Sequence, residues 1–319
     1  MQPYGGKEFD MERTKMNTHL MDPDVMRERA EKISEIFEER KNGLSVLYNS
    51  VWKNNVSLNA FVIRSDDMNA SPTIYPDEEM LSLSDEELAD RLEEFHADHA
   101  LNISLDMLMD RDYILQNVRP RLISEDTNID GLNEAEIAYM PWKLGLLLTF
   151  YIPVPGFGDH DGSNATCQLK WPHLKAADLS VTELYDLAVE HVTKDMDFRT
   201  MREVLFGMLP EGAELPFPDE TDVRMYVLST YDKLWGAALL ISDMTMKEIS
   251  QRLGSEDWYL IFSSVHECII IPIDSCSAQH DEQSLVNMIC EINATEVAET
   301  DRLSDHLYAH SADGLRIVA

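Results

Sequence analysis

Positive charge is scarce in this chain. Its 319 residues include 26 lysines and arginines against 59 aspartates and glutamates, a net formal charge of −33. A field of that sign repels nucleic acid and anionic membrane and attracts cations and basic proteins. Basic patches interleaved with aromatics are also missing, which disfavours direct nucleic-acid binding. The excess is no acidic tail. From Val204 onward, 20 acidic and 6 basic residues give −14, which leaves −19 for the first 203. The plain reading is a solvated acidic surface with a basic protein as the expected kind of partner. A sharper reading is a DNA mimic that blocks the basic groove of a nucleic-acid enzyme, and this requires carboxylates in rows at phosphate-like spacing.

Cysteine is scarce too. Cys167, Cys268, Cys276 and Cys290 form no C-x-x-C pair, and no His/Cys cluster has zinc spacing. Cys268 and Cys290 lie in apolar patterns and read as core thiols. There is no secretory signal and no apolar run near 18 residues. The longest greasy stretch, "LGLLLTFYIPV", suits a buried strand. A reducing cytoplasm is the expected compartment. Nor is there a phosphate-cradling P-loop, a G-x-G-x-x-G, a G-x-S-x-G elbow or an H-E-x-x-H. His266-Glu267 is followed by Cys268-Ile269-Ile270, so the zinc-protease pattern fails. No cofactor is expected.

What is present is a series of well-punctuated elements. Residues 1–21 are polar and read as a disordered leader. Asp22 and Pro23 open a helix carrying Met26, Ala30, Ile33 and Phe37, stopped at Asn42-Gly43. "LSVLYNSVW" and "VSLNAFVI" predict a β-hairpin turned by asparagine. Ser84 and Glu87 form a capping box, and Leu83 and Leu88 a hydrophobic staple, for a helix that places Leu88, Leu92, Phe95 and His99 on one face. His96 and His99 on that helix read as surface polarity rather than a metal pair. Residues 106–122 predict a helix running into a strand, and 124–142 an irregular stretch. "KLGLLLTFYIPV" and "ATCQLKW" predict two strands. The loop between them carries Asp159, Asp161 and Asn164 without calcium-loop spacing.

Ser180 and Glu183 repeat the capping box, and Thr200 and Glu203 start another helix. A segment with Pro210, Pro216 and Pro218 reads as a linker or long loop. "VRMYVLST", "WGAALLI", "WYLIF" and "ECIIIPI" predict strands. Asp243 and Asp281 are predicted helix caps, and Asp313-Gly314 is predicted to turn a final hairpin. Strands and helices alternate without a regular βαβ repeat. The fold class is therefore α+β, with mixed or antiparallel sheets, packed helices and two subdomains, 22–178 and 179–319.

"TELYDLAVEH", "MYVLST" with "WGAALLI", "YLIFSSVHECIIIP", "EINATEV" and "LSDHLY" occur in this order, and "PTIYPDEE" precedes them. This pattern resembles an uncharacterised bacterial family common in clostridia, domain of unknown function 5688. The resemblance covers roughly residues 25–310, and its most specific part is Ser-Ser-Val-His-Glu. Phe262 stands where the family pattern has proline, and the insert around "PVPGFGDHDGSN" is atypical. The resemblance implies an intracellular globular unit and carries no activity, cofactor or catalytic residue.

The stretch Phe262–Glu267 has three readings. A hydrolase would use Ser263 or Ser264 as nucleophile, with His266 as base and Asp305 as the acid that orients it. In a regular strand His266 and Glu267 would point to opposite faces, which denies that pair to each other. A metal site would join His266 to Asp305 or His306. The third reading is a hairpin bend, with Ser263 and Ser264 bonding nearby backbone, His266 and Glu267 opening the return strand, and Cys268–Ile271 forming a central strand. The expected function is a cytoplasmic binding or protein-interaction module. Its candidate binding residues are Ser263, Ser264, His266, Glu267, Asp305 and His306. A hydrolase using Ser264 and His266 is the alternative, and a DNA mimic the third.

Overall fold

The computed structural model describes residues 22–66, 71–99, 105–154, 166–209, 224–276 and 281–318. The expected leader, the loop with Asp159, Asp161 and Asn164, and the proline-rich segment from Pro210 to Pro218 lie outside them. Cα packing divides the chain into two compact units. The first comprises the described residues up to Lys53 and from Ser57 to His99. The second comprises Asn54–Val56 and the described residues from Leu105 onward.

In the first unit, helix α1 (Pro23–Arg40) is capped by Asp22, whose carboxylate accepts from the Asp24 N–H. It buries Met26, Ala30, Ile33 and Phe37, the four positions its period selects. The helix stops at Lys41, which adopts left-handed geometry at φ 55°. Strands β1 (Leu44–Lys53) and β2 (Val56–Ser65) form a sheet with the short β3 (Thr73–Ile74). Asn55 turns the hairpin at φ 67°, a conformation asparagine tolerates better than most side chains. Helices α2 (Glu78–Ser82) and α3 (Asp85–His99) follow. The Ser84–Glu87 capping box forms, with Ser84 N–H to Glu87 at 3.0 Å and the reverse bond at 3.3 Å. Leu88 and Leu92 are fully buried against Phe37 and Phe61, with Phe95 packed alongside. Of the two helical histidines, His96 is half-buried, and the side chain of His99 lies outside those described.

One buried cation ties these helices together. Arg29 donates from Nε to Asp85 at 2.9 Å, from Nη1 to the Leu81 carbonyl at 2.7 Å, and from Nη2 to the Leu83 carbonyl. The fork satisfies carbonyls around the end of α2 that lack helical partners.

The second unit holds two antiparallel sheets. After α4 (Arg111–Asn117) come β4 (Arg119–Ser124), α5 (Glu125–Glu134), β5 (Tyr139–Pro141), β6 (Leu146–Pro153) and β7 (Thr166–Gln168). Strand β6 is central, pairing with β4, β5 and β7. All but its last residue are buried, which explains its unbroken apolar run. Helix α5 corrects the irregular reading of 124–142. Its charged outer face hides the period, while Leu132, Gly131 and Asn128 face inward. Asn128, fully buried, donates to the Ser124 carbonyl at 2.9 Å.

Helices α6 (Trp171–Ala176) and α7 (Val181–Thr193) lead into the larger sheet. Its strands are β8 (Met196–Thr200), β9 (Tyr226–Thr230), β10 (Trp258–Ile261), β11 (Cys268–Pro272), β12 (Leu307–Ser311) and β13 (Gly314–Ile317), in the order β13-β12-β10-β11-β9-β8. Helix α8 (Met201–Gly207) follows β8, α9 (Asp243–Leu253) precedes β10, and α10 (Glu282–Thr295) packs Leu285 and Ile289 against Tyr259, Ile261 and Ile271. The cap of α9 is Ser242 rather than Asp243, and Asp281 caps α10 as expected.

The architecture is α+β, and every described strand pair is antiparallel. The boundary expected at residue 178 falls inside the second unit. The capping box at Ser180 starts α7, which packs on β4. "WGAALLI" is not a strand. Gly236–Ile241 is a 3-10 helix with every residue buried, and an apolar run buried on all sides carries no period that separates helix from strand.

Candidate functional site: a bend that sets the wall of a cleft

Strands β10 and β11 pair from Trp258↔Pro272 to Ile261↔Ile269, and Phe262–Glu267 connects them. The connection is held like a sheet edge without being a strand. Val265 N–H donates to the Asp301 carbonyl at 2.8 Å, Leu303 N–H to Ser263 at 3.2 Å, and Ser304 N–H to Phe262 at 2.9 Å. Phe262 is fully buried and meets Tyr308 edge-on at 5.0 Å. His266 and Glu267 therefore precede the return strand, which begins at Cys268. The two-residue alternation that separated their faces does not apply to them.

Ser264 Oγ accepts the backbone N–H of His266 at 3.0 Å, a local hydroxyl turn. The His266 ring points elsewhere. Its Nδ1 accepts the backbone N–H of Trp235 at 3.3 Å, and its Nε2 lies 3.5 Å from Asp301 Oδ1. A nitrogen that accepts carries no proton, so this network places the imidazole proton on Nε2, toward Asp301. Both ring nitrogens thus have partners, and neither partner is a serine hydroxyl. The His266 carbonyl accepts two more bonds, from Gly236 N–H at 2.9 Å and Ser229 Oγ at 2.8 Å. A Cβ at Gly236 would lie 2.5 Å from that carbonyl oxygen and 2.5 Å from Ser229 Cα, so only glycine permits the approach.

Arginine supports the acid. Arg121 on β4 donates to the Thr300 carbonyl and to the Tyr151 hydroxyl, each at 3.1 Å, and its buried Nε has no partner among the described residues. Burial pushes the Asp301 carboxyl up. His266, Arg121 and Thr300 pull the other way, and the balance lies below its ordinary value.

This corner sets one aromatic ring. Trp235 has left-handed geometry at φ 54° and stacks on Tyr151 with ring centres 4.4 Å apart. The two rings wall a cleft of about 210 Å³ that also exposes Arg119, Asp195, Asp232 and Pro153. Arg119 forms an ion pair with Asp195 and donates to the His191 carbonyl at 3.2 Å. A smaller recess of about 150 Å³ shares Arg119, Pro153 and Asp195 with the cleft.

Of the residues selected from the sequence, Ser263, Ser264 and His266 come together at the bend. Glu267 is exposed. Asp305 is bonded by Asn293 Nδ2 at 2.6 Å, and the His306 ring lies 6.3 Å from that of Tyr308. Neither is bonded to His266, and the acid beside His266 is Asp301. Among the described residues no group of three or more His, Cys, Asp or Glu is arranged to hold a metal. Sequence reasoning missed Asp301, Arg119, Arg121, Tyr151 and Trp235. Trp235 alone carried a signal, as the aromatic before the invading glycine in "WGAALLI".

The chain belongs to the family of unknown function DUF5688, whose model matches residues 25–312. No curated protein and no solved structure matches it. "MYVLST", "WGAALLI" and "FSSVHE", three segments of the family-like pattern, meet at His266 through Ser229, Trp235 and Gly236. Among the described residues no helix is long and apolar enough to cross a membrane.

Proposed function

We propose that this protein is a cytoplasmic small-ligand-binding module and that the cleft beside Tyr151 and Trp235 is its ligand site. The observation that carries this reading is the convergence on Trp235. A ring nitrogen, a backbone carbonyl and an obligatory glycine all serve to hold one aromatic side chain at the wall of a concave site. Pockets that bind small molecules pair apolar and aromatic walls with a few fixed polar groups, and Arg119, Asp195 and Asp232 are such groups here. In this reading His266 is a positioning residue. The hydrolase alternative lacks support, because the hydroxyl of Ser264 accepts from backbone and the imidazole has other partners. The acidic surface keeps the protein soluble and favours basic proteins as secondary partners.

Ligand-observed NMR on the full chain with a panel of small aromatic fragments tests the reading. Binding is expected with wild type and loss with Trp235→Ala, and a melting curve of the variant controls for folding. Undiminished binding in Trp235→Ala, or no binding by any fragment, overturns it.

A further inference from the structure

The polar groups at the cleft carry both signs, and each has capacity left over. Arg119 directs both of its protein hydrogen bonds from Nη1, to Asp195 and to the His191 carbonyl. Among the described residues its Nη2 and Nε have no protein partner, so one edge of the guanidinium fork remains for an anion. Asp232 accepts the Leu234 N–H through Oδ1 at 3.2 Å and has no cationic partner among the described residues. Its second oxygen remains for a cation. The same cleft is lined by apolar surfaces, namely the stacked Tyr151 and Trp235 with Pro120 and Pro153. At about 210 Å³ the cleft is smaller than the ~300–1,000 Å³ of pockets for drug-sized ligands. A nucleotide is too large for it, and a molecule of amino-acid size is not.

We propose that the cleft binds a small zwitterion, a free α-amino acid with an aromatic side chain. This rests on the reading of the cleft as the ligand site. Arg119 takes the carboxylate, since a planar fork matches two oxygens. Asp232 takes the ammonium, and the Tyr151–Trp235 wall with its two prolines takes the ring. A lone carboxylate would leave Asp232 unanswered and add negative charge to a strongly acidic protein. A lone amine would leave the open edge of Arg119 without a partner.

Isothermal titration of the full chain with four probes tests this: L-phenylalanine, phenethylamine, 3-phenylpropionate and benzyl alcohol, which are zwitterion, cation, anion and neutral. L-phenylalanine is expected to bind tightest, about tenfold above either singly charged probe, because each charge-assisted bond contributes on that order. Arg119→Gln should weaken L-phenylalanine and 3-phenylpropionate about tenfold without weakening phenethylamine. Asp232→Asn should do the reverse, and its amide oxygen can still accept the Leu234 N–H. Melting curves of both variants control for folding. Phenethylamine binding as tightly as L-phenylalanine, with no effect of Arg119→Gln, would overturn the zwitterion in favour of a simple cation while the cleft reading stands. Benzyl alcohol equalling L-phenylalanine would overturn it in favour of a neutral ring. Failure of all four probes overturns the amino-acid class, and the fragment panel with Trp235→Ala then decides the cleft separately.

Discussion

The first unit and the second unit solve the same packing problem with different backbones. The first is built from elements that each obey a local rule. Helix α1 buries every fourth or third residue, Asp22 caps its start, and a capping box starts α3. The second unit contains those rules too, but its centre departs from them. Lys233 and Trp235 both have positive φ, a 3-10 helix is buried on all sides, and a glycine admits a carbonyl where no side chain fits. The departures sit together, and they border the cleft. Left-handed geometry at a bulky residue costs on the order of 1–2 kcal/mol, so Trp235 is held there by its surroundings. At this centre the irregular backbone aims a side chain at the cleft.

Substitutions can break this contrast or sharpen it. The largest effect is expected in the regular unit. Phe37→Ala removes a fully buried ring from its core and should lower stability by about 3–5 kcal/mol, read by urea denaturation. The fragment binding of the second unit should survive at temperatures where the variant remains folded. Gly236→Ala is next, at about 3 kcal/mol, because the new methyl collides with backbone on two sides. Unlike Phe37→Ala it should also abolish fragment binding, and a Gly236→Ala protein that binds normally would sever the bend from the cleft. Ser264→Ala removes one local hydroxyl–backbone bond and should cost about 1 kcal/mol, measured by denaturation, with little change in binding. Full loss of binding in that variant would return the serine to a direct role.

The smallest effect is a matter of pH. Glu183 in the α7 capping box is held at about 2 by the Ser180 N–H and hydroxyl, with help from Arg111. A carboxyl with a lowered folded pKa contributes stability that is complete above its unfolded value of roughly 4.3 and declines as pH falls toward the folded one. The stabilising share of this cap should therefore persist at pH 6 and fade between about pH 5 and pH 2. Denaturation of wild type and Glu183→Gln across that range should converge at the acid end. A constant difference would show that the cap acts without its charge.

How much was legible follows the same contrast. The core of α1, the hairpin at Asn55, the capping boxes at Ser84, Ser180 and Thr200, and the β12–β13 turn were all readable, because each depends on residues within one turn or one hairpin. The α5 helix was hidden by its polar outer face. "WGAALLI" was misassigned because burial on all sides erases its period. The site was readable only as an address. His266 was singled out, but its partners come from Trp235, 31 residues earlier, and Asp301, 35 later. Spacing of that kind is set by sheet order, which local pattern does not encode. Asp305 was the wrong acid for the same reason, since the turn before β12 directs it to Asn293 on α10.

The cysteines of the larger sheet and its helix form an ordered scale of access. Cys268 is wholly buried on β11, the strand between β9 and β10, and burial pushes its thiol well above the ordinary value. Cys276 is half-covered just beyond the end of that strand, and Cys290 lies open on α10. An alkylating reagent would therefore label them in the order Cys290, Cys276, Cys268. Its last step reports the rate at which the middle of the sheet separates. The chain thus carries an internal clock for the opening of its own core, readable by mass through its native thiols.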